Sequence, residues 1–327
     1  DIVGKRNWFF LLSAVLIIPG LVCLFTSGLR KGIEFRPGTE FTVQFSSPVV
    51  MSNVKNIVDT FSTDKKGSGV EVQMASAGTI AYIKTDWLRG KNQESYLAKC
   101  KDFESALASK LPVVKNETTG DLSISKTNVE PTISKELTTN AINCVILASI
   151  GIILYLTIRF AIGGIAAGFK FGVCAVIALI HDAAFILGGF AIMGKLFNWE
   201  IDSVFVTAVL TIIGFSVHDT IVVYDRIREN MRHRERGESF EALANKSILQ
   251  TLSRSINTSL TVVLTLLVLI FLGGPMLKHF YITMLAGIII GTYSSIFNAT
   301  PLVIIWDALA TGVKLSSGKT IVEKPLV

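Results

Sequence analysis

Residues Ile201–Tyr224 read IDSVFVTAVLTIIGFSVHDTIVVY, an apolar stretch that carries a histidine and an aspartate near its end. A helix that crosses the apolar core of a bilayer needs about 20 mostly apolar residues, and this stretch is long enough. An ionisable side chain inside such a helix costs roughly 2.5–3.5 kcal/mol on insertion scales, which makes it a candidate for function. The stretch therefore predicts a transmembrane helix with a functional acid, Asp219, beside His218.

Five further stretches have the same character, which makes six predicted spans. The composition agrees, because 50% of the residues are hydrophobic, 17% are charged and the mean hydropathy is +0.54, whereas soluble proteins carry roughly 25% charged residues. The first stretch is long for a signal peptide and lacks a clean cleavage site, so we interpret it as an uncleaved span. The five stretches are Trp8–Thr26, Leu137–Ile158, Phe171–Met193, Ile256–Leu272 and Phe280–Leu302.

Lysine and arginine in the short connections fall almost entirely on one side of the predicted membrane, which the positive-inside rule assigns to the cytoplasm. The bias predicts a multi-pass protein of the cell inner (plasma) membrane with both termini cytoplasmic. Most of the +6 net charge is explained in this way, so nucleic-acid binding is not predicted. The predicted parts are the first span in 1–30, an external (periplasmic) domain in 31–135, spans 2–6 in 136–306 with a cytoplasmic loop at 225–253, and a cytoplasmic tail in 307–327.

The external segment shows the period-two pattern of strands and the longer period of helices. Their order is β-α-β-β-α-β, which is that of a ferredoxin-like unit. The segment carries no nucleophile–base pair and no phosphate loop, and the cysteines lack metal-site spacing, so we predict a contact role with no enzyme activity, metal or cofactor. The strand candidates are Glu40–Phe45, Val70–Met74, Ile80–Lys84 and the surroundings of Leu122–Ile124, and the helix candidates are Ser52–Phe61 and Gln93–Leu111.

Small and polar residues recur every three or four positions on the last three spans, a spacing that places them on one face of each helix. Such faces allow helices to approach closely, and here they predict a hydrated interior. Ser216, Thr211, Thr258 and Thr261 are the candidate residues of this polar transmembrane face. The full faces are Ser203, Thr207, Thr211, Gly214 and His218; Arg254, Thr258, Thr261 and Thr265; and Gly287, Gly291, Ser294 and Asn298.

Asp219 admits two interpretations. It can exchange protons while Arg254, which opens the predicted fifth span, stabilises its charged form, or it can be a fixed anchor or a permanent partner of Arg254 that sets the packing. Arg254 taken alone is more typical of a snorkelling anchor. His181 and Asp182 in the third span point about 100° apart on a helix and so face different neighbours; structural packing and a proton relay both remain open for this pair.

Several of these stretches resemble the SecF and SecD family. Residues 216–230, SVHDTIVVYDRIREN, are similar to the family's fourth-span signature, although His218 stands where the family commonly has asparagine. Residues 251–260, 271–274 and 178–182 resemble parts of its fifth and third spans. Residues 32–35 with Gly38 and Thr39 resemble the entry to its external domain. The resemblance implies an α-helical membrane protein of six transmembrane helices, an RND-like half, with a small α+β external domain between spans 1 and 2.

The resemblance also implies a function. Family members act with the Sec translocon and use the proton-motive force in late steps of preprotein export, and Asp219 and Arg254 match positions assigned to proton transport. The implied partners are a SecD-like six-span subunit, the channel proteins SecY, SecE and SecG, the proteins YajC and YidC, the translocating preprotein and protons. Three alternatives stay open: half of an RND-type exporter of small molecules or lipids, a receptor or scaffold without proton chemistry, and a part of a fused SecDF chain.

Overall fold

The computed structural model describes residues 2–32, 35, 38–61, 70–85, 93–115, 122–129, 131–160, 165–274 and 277–312. Six helices within these ranges are long and apolar enough to cross a membrane, and all six predicted spans are confirmed. In chain order the elements are α1 Arg6–Ser27, β1 Gly38–Gln44, α2 Met51–Phe61, β2 Val70–Ala75, β3 Ile80–Thr85, α3 Gln93–Lys110, β4 Ile124–Val129, α4 Pro131–Arg159, α5 Ile165–Phe197, α6 Ser203–Arg232, α7 Phe240–Leu272, α8 Lys278–Ser294, a π-helical turn Ser295–Ala299 and α9 Thr300–Thr311.

Most of the predicted cytoplasmic loop at 225–253 is helical. Helix α6 continues to Arg232 and α7 begins at Phe240, where Ser239 caps it by accepting a hydrogen bond from the Ala242 N–H at 3.1 Å. Arginine, lysine and glutamate favour helices almost as well as alanine does, so the run of charge marks where the helices leave the membrane and not where they end. Arg254 accordingly lies well inside α7 instead of opening it.

The domain between the first two spans, predicted to be external and called the external domain below, is a four-stranded antiparallel sheet in the order β2-β3-β1-β4. Helices α2 and α3 pack on one of its faces. Phe41 of β1 and Ile83 of β3 are register partners and are both fully buried. The Phe103 ring of α3 meets the Phe41 ring edge-on, with the centroids 5.1 Å apart. The ferredoxin-like prediction is confirmed, although the last strand begins at Ile124 and runs beyond the predicted region.

Cys100 is the cysteine of the external domain. It lies on α3 and is fully buried in the core between the helices and the sheet. Burial raises the pKa of the Cys100 thiol, so the thiol stays protonated at neutral pH and the reactive thiolate is scarce. Cys100 therefore acts as a packing residue.

Two glycines allow α1 to cross α5 in close contact. A Cβ atom added at Gly188 would lie 2.8 Å from the Cα atom of Gly20, and the reverse substitution would meet the same obstacle. Lipid tails are as apolar as the helices, so spans associate largely through close packing at small residues. This crossing holds the first span, which leads into the external domain, against the body of the membrane part.

A π-helical turn interrupts the sixth span at Ser295–Ala299. Pro301 follows two residues later; proline has no N–H to donate, and its ring clashes with the carbonyl four residues earlier in a regular α-helix. One wider turn relieves that clash, and such turns are frequent at functional sites. Ser295 and Asn298, both within the turn, are buried against neighbouring spans.

The glycine crossing generates a stability prediction. We expect Gly188→Ala to destabilise the protein by about 1–3 kcal/mol, because the added methyl group overpacks a closed contact. Thermal unfolding in lipid nanodiscs measures the effect. Gly189→Ala is the matched control, because a Cβ atom there meets nothing within 4 Å. Equal midpoints for the two variants would contradict this account of the crossing.

Candidate functional site

Three spans converge on the carboxylate of Asp182. This side chain of α5 is fully buried, and its Oδ2 atom accepts hydrogen bonds from Ser216 Oγ of α6 at 2.6 Å and from Ser294 Oγ of α8 at 2.8 Å. The Nδ1 atom of His181 lies 2.9 Å from its Oδ1 atom. A buried carboxylate is tolerated only with such partners, so this cluster fixes the relative positions of α5, α6 and α8.

His181 extends the cluster to the first span. Its Nε2 atom lies 2.9 Å from Asn298 Nδ2, and the same Asn298 nitrogen donates to Ser13 Oγ of α1 at 3.0 Å. The expectation that His181 and Asp182 face different neighbours is therefore wrong: the two side chains contact each other, and the sixth span serves both. The π-helical turn explains this outcome, since it contains Asn298 while Ser294 ends α8 immediately before it.

Asp219 of α6 has a less complete set of partners. Its side chain is 4% exposed, and its Oδ1 atom accepts a hydrogen bond from Ser255 Oγ of α7 at 2.7 Å. Its Oδ2 atom is buried and finds no hydrogen-bond partner among the described residues. One oxygen of this acid is thus held by a neighbouring span while the other remains available.

The structure brings Ser255, and not Arg254, into contact with Asp219. Arg254 is exposed and forms no ion pair with Asp219 in the part of the chain that the structure describes. Arg254 is the residue before Ser255, and His218 is the residue before Asp219. The arginine is therefore a neighbour of the acid without contacting it in this structure.

Hydroxyl groups connect the surroundings of the two acids. Thr220, the residue after Asp219, donates to Ser295 Oγ at 3.0 Å. Ser295 in turn donates to the carbonyl oxygen of Ser216, the residue that binds Asp182, at 3.2 Å. Asp219 and Ser216, which binds Asp182, lie three residues apart on α6. One short part of this helix therefore contains one acid and contacts the other.

The predicted polar faces divide into an exposed set and a buried set. The face on the sixth span is buried, and its glycines allow close packing: Gly291 lies against the Ser216 side chain, and Gly287 against Ile212. The faces on α6 and α7 do not line the interior of this chain, because their members are exposed, including Thr211, His218, Arg254, Thr258 and Thr261. The buried polar face of α7 runs beside the predicted one and comprises Ser247, Thr251, Ser255 and Ser259.

Comparison with known proteins agrees with this architecture. The family model described as protein export membrane protein SecD/SecF, C-terminal, matches residues 111–308, and the SecD/SecF GG motif matches residues 24–49. The chain belongs to the SecD/SecF family. The resemblance inferred from the sequence is therefore confirmed.

Relatives place the chain on the SecF side of this family. It is 43% identical over 310 residues to the protein translocase subunit SecF of Thermobaculum terrenum, covering 94% of both chains. It is 32% identical to the protein translocase subunit SecDF of Bacillus subtilis, with 94% of this chain covering 38% of that one. The crystal structure of SecDF from Thermus thermophilus, a translocon-associated membrane protein, matches with a TM-score of 0.74 and 30% identity, again covering 94% of this chain and 38% of that one.

Sequence reasoning missed several residues that the SecD/SecF-type site uses. Ser255 belongs to a series of hydroxyl residues with four-residue spacing. The predicted polar face is instead the neighbouring series on the same helix, because that series begins with a charged residue, Arg254. Ser295 and Thr220 carry no pattern beyond their proximity to other polar residues. Ser13 is an isolated hydroxyl in the middle of an apolar span, and only the fold shows that it meets Asn298.

The Ser255 contact gives a direct test of the site geometry. We expect Ser255→Ala to lower the free energy of unfolding by about 1–3 kcal/mol, because a buried acceptor loses its donor. Ser253→Ala is the control, since Ser253 is exposed on the same helix. Thermal unfolding of both variants in nanodiscs measures the difference. Equal unfolding midpoints would show that the hydrogen bond from Ser255 does not stabilise Asp219.

Proposed function

We propose that this chain acts as a SecF-type accessory subunit of the Sec translocon, working with a SecD-like partner. In this proposal it uses the proton-motive force to promote late steps of preprotein export across the cytoplasmic membrane. The observation that carries the proposal is Asp219, a nearly fully buried carboxyl group that is bonded to one neighbouring span through a single oxygen.

The two protonation states of Asp219 have different requirements. The ionised form needs a compensating positive charge or further donors, since a buried unpaired charge is strongly destabilising. The protonated form needs an acceptor for its own O–H group. A shift of α7 relative to α6 changes the distance to Arg254 and Ser255 together, so it favours one state over the other.

The available energy is sufficient for such a shift. One elementary charge moving through 100 mV supplies about 2.3 kcal/mol. Coupling free energies between distant sites in proteins are typically 1–3 kcal/mol. One proton per cycle therefore matches the size of the conformational step that the proposal requires.

We assign His181 and Asp182 to the same relay. Thr220, the residue after Asp219, donates to Ser295, and Ser295 contacts the backbone carbonyl of Ser216, whose hydroxyl binds Asp182. Hydrogen bonds and the backbone of α6 therefore link the surroundings of the two acids. The exchange of a proton at either acid then alters the hydrogen bonds around the other. A role in the relay explains why an acid is buried at position 182, since packing alone does not need a carboxyl group there.

The exposed polar faces of α6 and α7 support a partner inside the membrane. Polar and ionisable groups are costly against lipid and face protein or water-filled cavities instead. We propose that the SecD-like six-span subunit covers the face with Thr211, His218, Arg254, Thr258 and Thr261. The channel proteins SecY, SecE and SecG, with YajC and YidC, and the translocating preprotein complete the proposed assembly.

The proposed topology places residues 31–135 outside the cytoplasm and both termini inside. The distribution of lysine and arginine in the connections supports it. Of the proposed cytoplasmic tail 307–327, residues 313–327 lie outside the described part of the chain. The principal rival, an RND-type exporter of small molecules or lipids, is less supported because the relatives of this chain are named protein translocase subunits.

Neutralising Asp219 tests the proposed function. We expect Asp219→Asn to insert and fold normally, since asparagine keeps the shape of the side chain, while export driven by a proton gradient is lost. The assay uses membrane vesicles that contain the chain, its SecD-like partner and the Sec channel. Asp225→Asn is the control, because that exposed acid lies at the cytoplasmic end of the same helix. Proton-driven export that survives Asp219→Asn would refute the proposal.

Cysteine labelling tests the topology. We expect a membrane-impermeant maleimide to label Ser105→Cys in intact spheroplasts and to label Glu235→Cys only after the membrane is opened. Both positions are exposed, the first on α3 and the second in the connection between α6 and α7. The reverse pattern would invert the proposed orientation.

A further inference from the structure

A short backbone bridge links the entry to the external domain with the start of α6. Lys31 and Ile201 pair as two parallel strand residues. The Ile201 N–H donates to the Arg30 carbonyl oxygen at 2.8 Å, and the Gly32 N–H donates to the Ile201 carbonyl oxygen at 2.8 Å. The bridge joins parts of the chain that are far apart in sequence.

On the membrane side, the bridge is attached directly to the helix that carries Asp219. Ile201 precedes Asp202, which caps α6 by accepting a hydrogen bond from the Phe205 N–H at 2.7 Å. An α-helix is stiff along its axis because each turn is hydrogen-bonded to the next. A displacement of α6 along its axis therefore reaches Ile201 with little loss.

The connection around Ile201 is also fixed to the outer ends of other spans. The Trp199 ring stacks on the His279 ring of α8, with the centroids 4.2 Å apart, and meets Phe190 of α5 edge-on. Arg30, one residue before Lys31, hydrogen-bonds to the side-chain oxygen of Asn198. These contacts hold residues 198–202 together next to the outer ends of α5 and α8.

On the external side, the bridge lies a few residues before the sheet. The Gly32 carbonyl oxygen accepts a hydrogen bond from the Phe35 N–H at 3.0 Å, and Phe35 is buried. β1 begins at Gly38 and pairs with both β3 and β4. A force on Gly32 thus enters the domain through an inner strand of its sheet.

Around the bridge, a cavity lies between the domain and the helices. Its walls include Glu40 and Lys84 from the open face of the sheet and Glu200, Phe205 and His279 from the membrane side. Domains of one chain move relative to each other by default unless their interface is large and hydrophobic. The cavity leaves room for the domain to tilt while the bridge keeps its entry attached to α6.

We propose that the hydrogen-bonded bridge of Arg30, Lys31 and Gly32 with Ile201 is the mechanical joint that passes movement of α6 to the external domain. This inference rests on the proposed function and specifies how the two halves of the protein communicate. One side of the bridge, residues 30–32, falls within residues 24–49, which match the SecD/SecF GG motif. It holds throughout the cycle, and the domain turns around it.

Position 32 offers a minimal way to break the joint. A Cβ atom there would lie 2.9 Å from the Ile201 carbonyl oxygen, too close for the bridge to keep its geometry. Coupling between sites typically corresponds to effects of roughly 5- to 150-fold, so we expect Gly32→Ala to reduce proton-driven export at least about fivefold. Proton uptake, followed with a pH-sensitive dye in the same vesicles, stays near the wild-type rate.

Lys31→Ala is the matched control, because it removes an exposed side chain and leaves both backbone hydrogen bonds in place. We expect it to export at the wild-type rate. A disulfide between Lys31→Cys and Ile201→Cys provides rescue, since bridge partners lie about 4.7–4.9 Å apart, within the Cα separation of roughly 4.4–6.8 Å that a disulfide spans. Oxidation of this pair in the Gly32→Ala background restores export, and reduction abolishes the rescue.

The outcomes separate the two proposals. Normal export by Gly32→Ala, or export arrested by the disulfide in an otherwise wild-type chain, refutes the joint. A Gly32→Ala variant that loses proton uptake together with export, and is not rescued by the disulfide, also refutes it. If Asp219→Asn leaves proton-driven export intact, the proposed function itself fails, whatever the behaviour of position 32.

Discussion

A carboxylate buried among apolar helices must be surrounded by hydrogen-bond donors, and the membrane part of this protein is organised around that requirement at Asp182. Donors reach it from α6 and α8, and its neighbour His181 continues the network through Asn298 to α1. Four spans are thereby held in one arrangement by side chains that apolar packing alone would not orient. The π-helical turn before Pro301 belongs to the same solution, because it places Asn298 within reach of His181.

Asp219 contrasts with Asp182 although both are acids inside spans. Asp182 has a complete set of donors, whereas Asp219 is bonded only through Ser255 and keeps a buried oxygen without a partner among the described residues. A buried acid whose hydrogen bonds are all made holds its surroundings rigidly. A buried acid with only some of its hydrogen bonds made favours different surroundings in its protonated and ionised forms. We therefore expect the α6–α7 contact at Asp219 to change first, and the hydrogen bonds around Asp182 to adjust to the new position of α6.

The sequence predicted the spans and the external fold because each rests on a local signal: apolar length for helices such as α6, and alternation for strands such as β1. It identified Asp219 and Asp182 because charge inside an apolar stretch is conspicuous. It did not predict that Ser255 binds Asp219. Two polar series on α7 lie side by side at helical spacing, and only the packing of α7 on α6 decides which of them faces inward. Ser13 was beyond prediction for a similar reason, since its partner is distant in the chain.

Helix α6 connects the acids in the membrane part with the external domain. This one helix carries Ser216 and Asp219 in the membrane and connects at its outer end, through Ile201, to the strand that enters the external domain. No other described element combines Asp219, a hydrogen-bond donor to Asp182 and a backbone link to the domain. A change at Asp219 that shifts α6 against α7 must also strain or move residues 30–32, because stiff helices and paired backbones transmit displacement where flexible loops absorb it. The same helix thus forms part of the site and transmits its movement to the external domain.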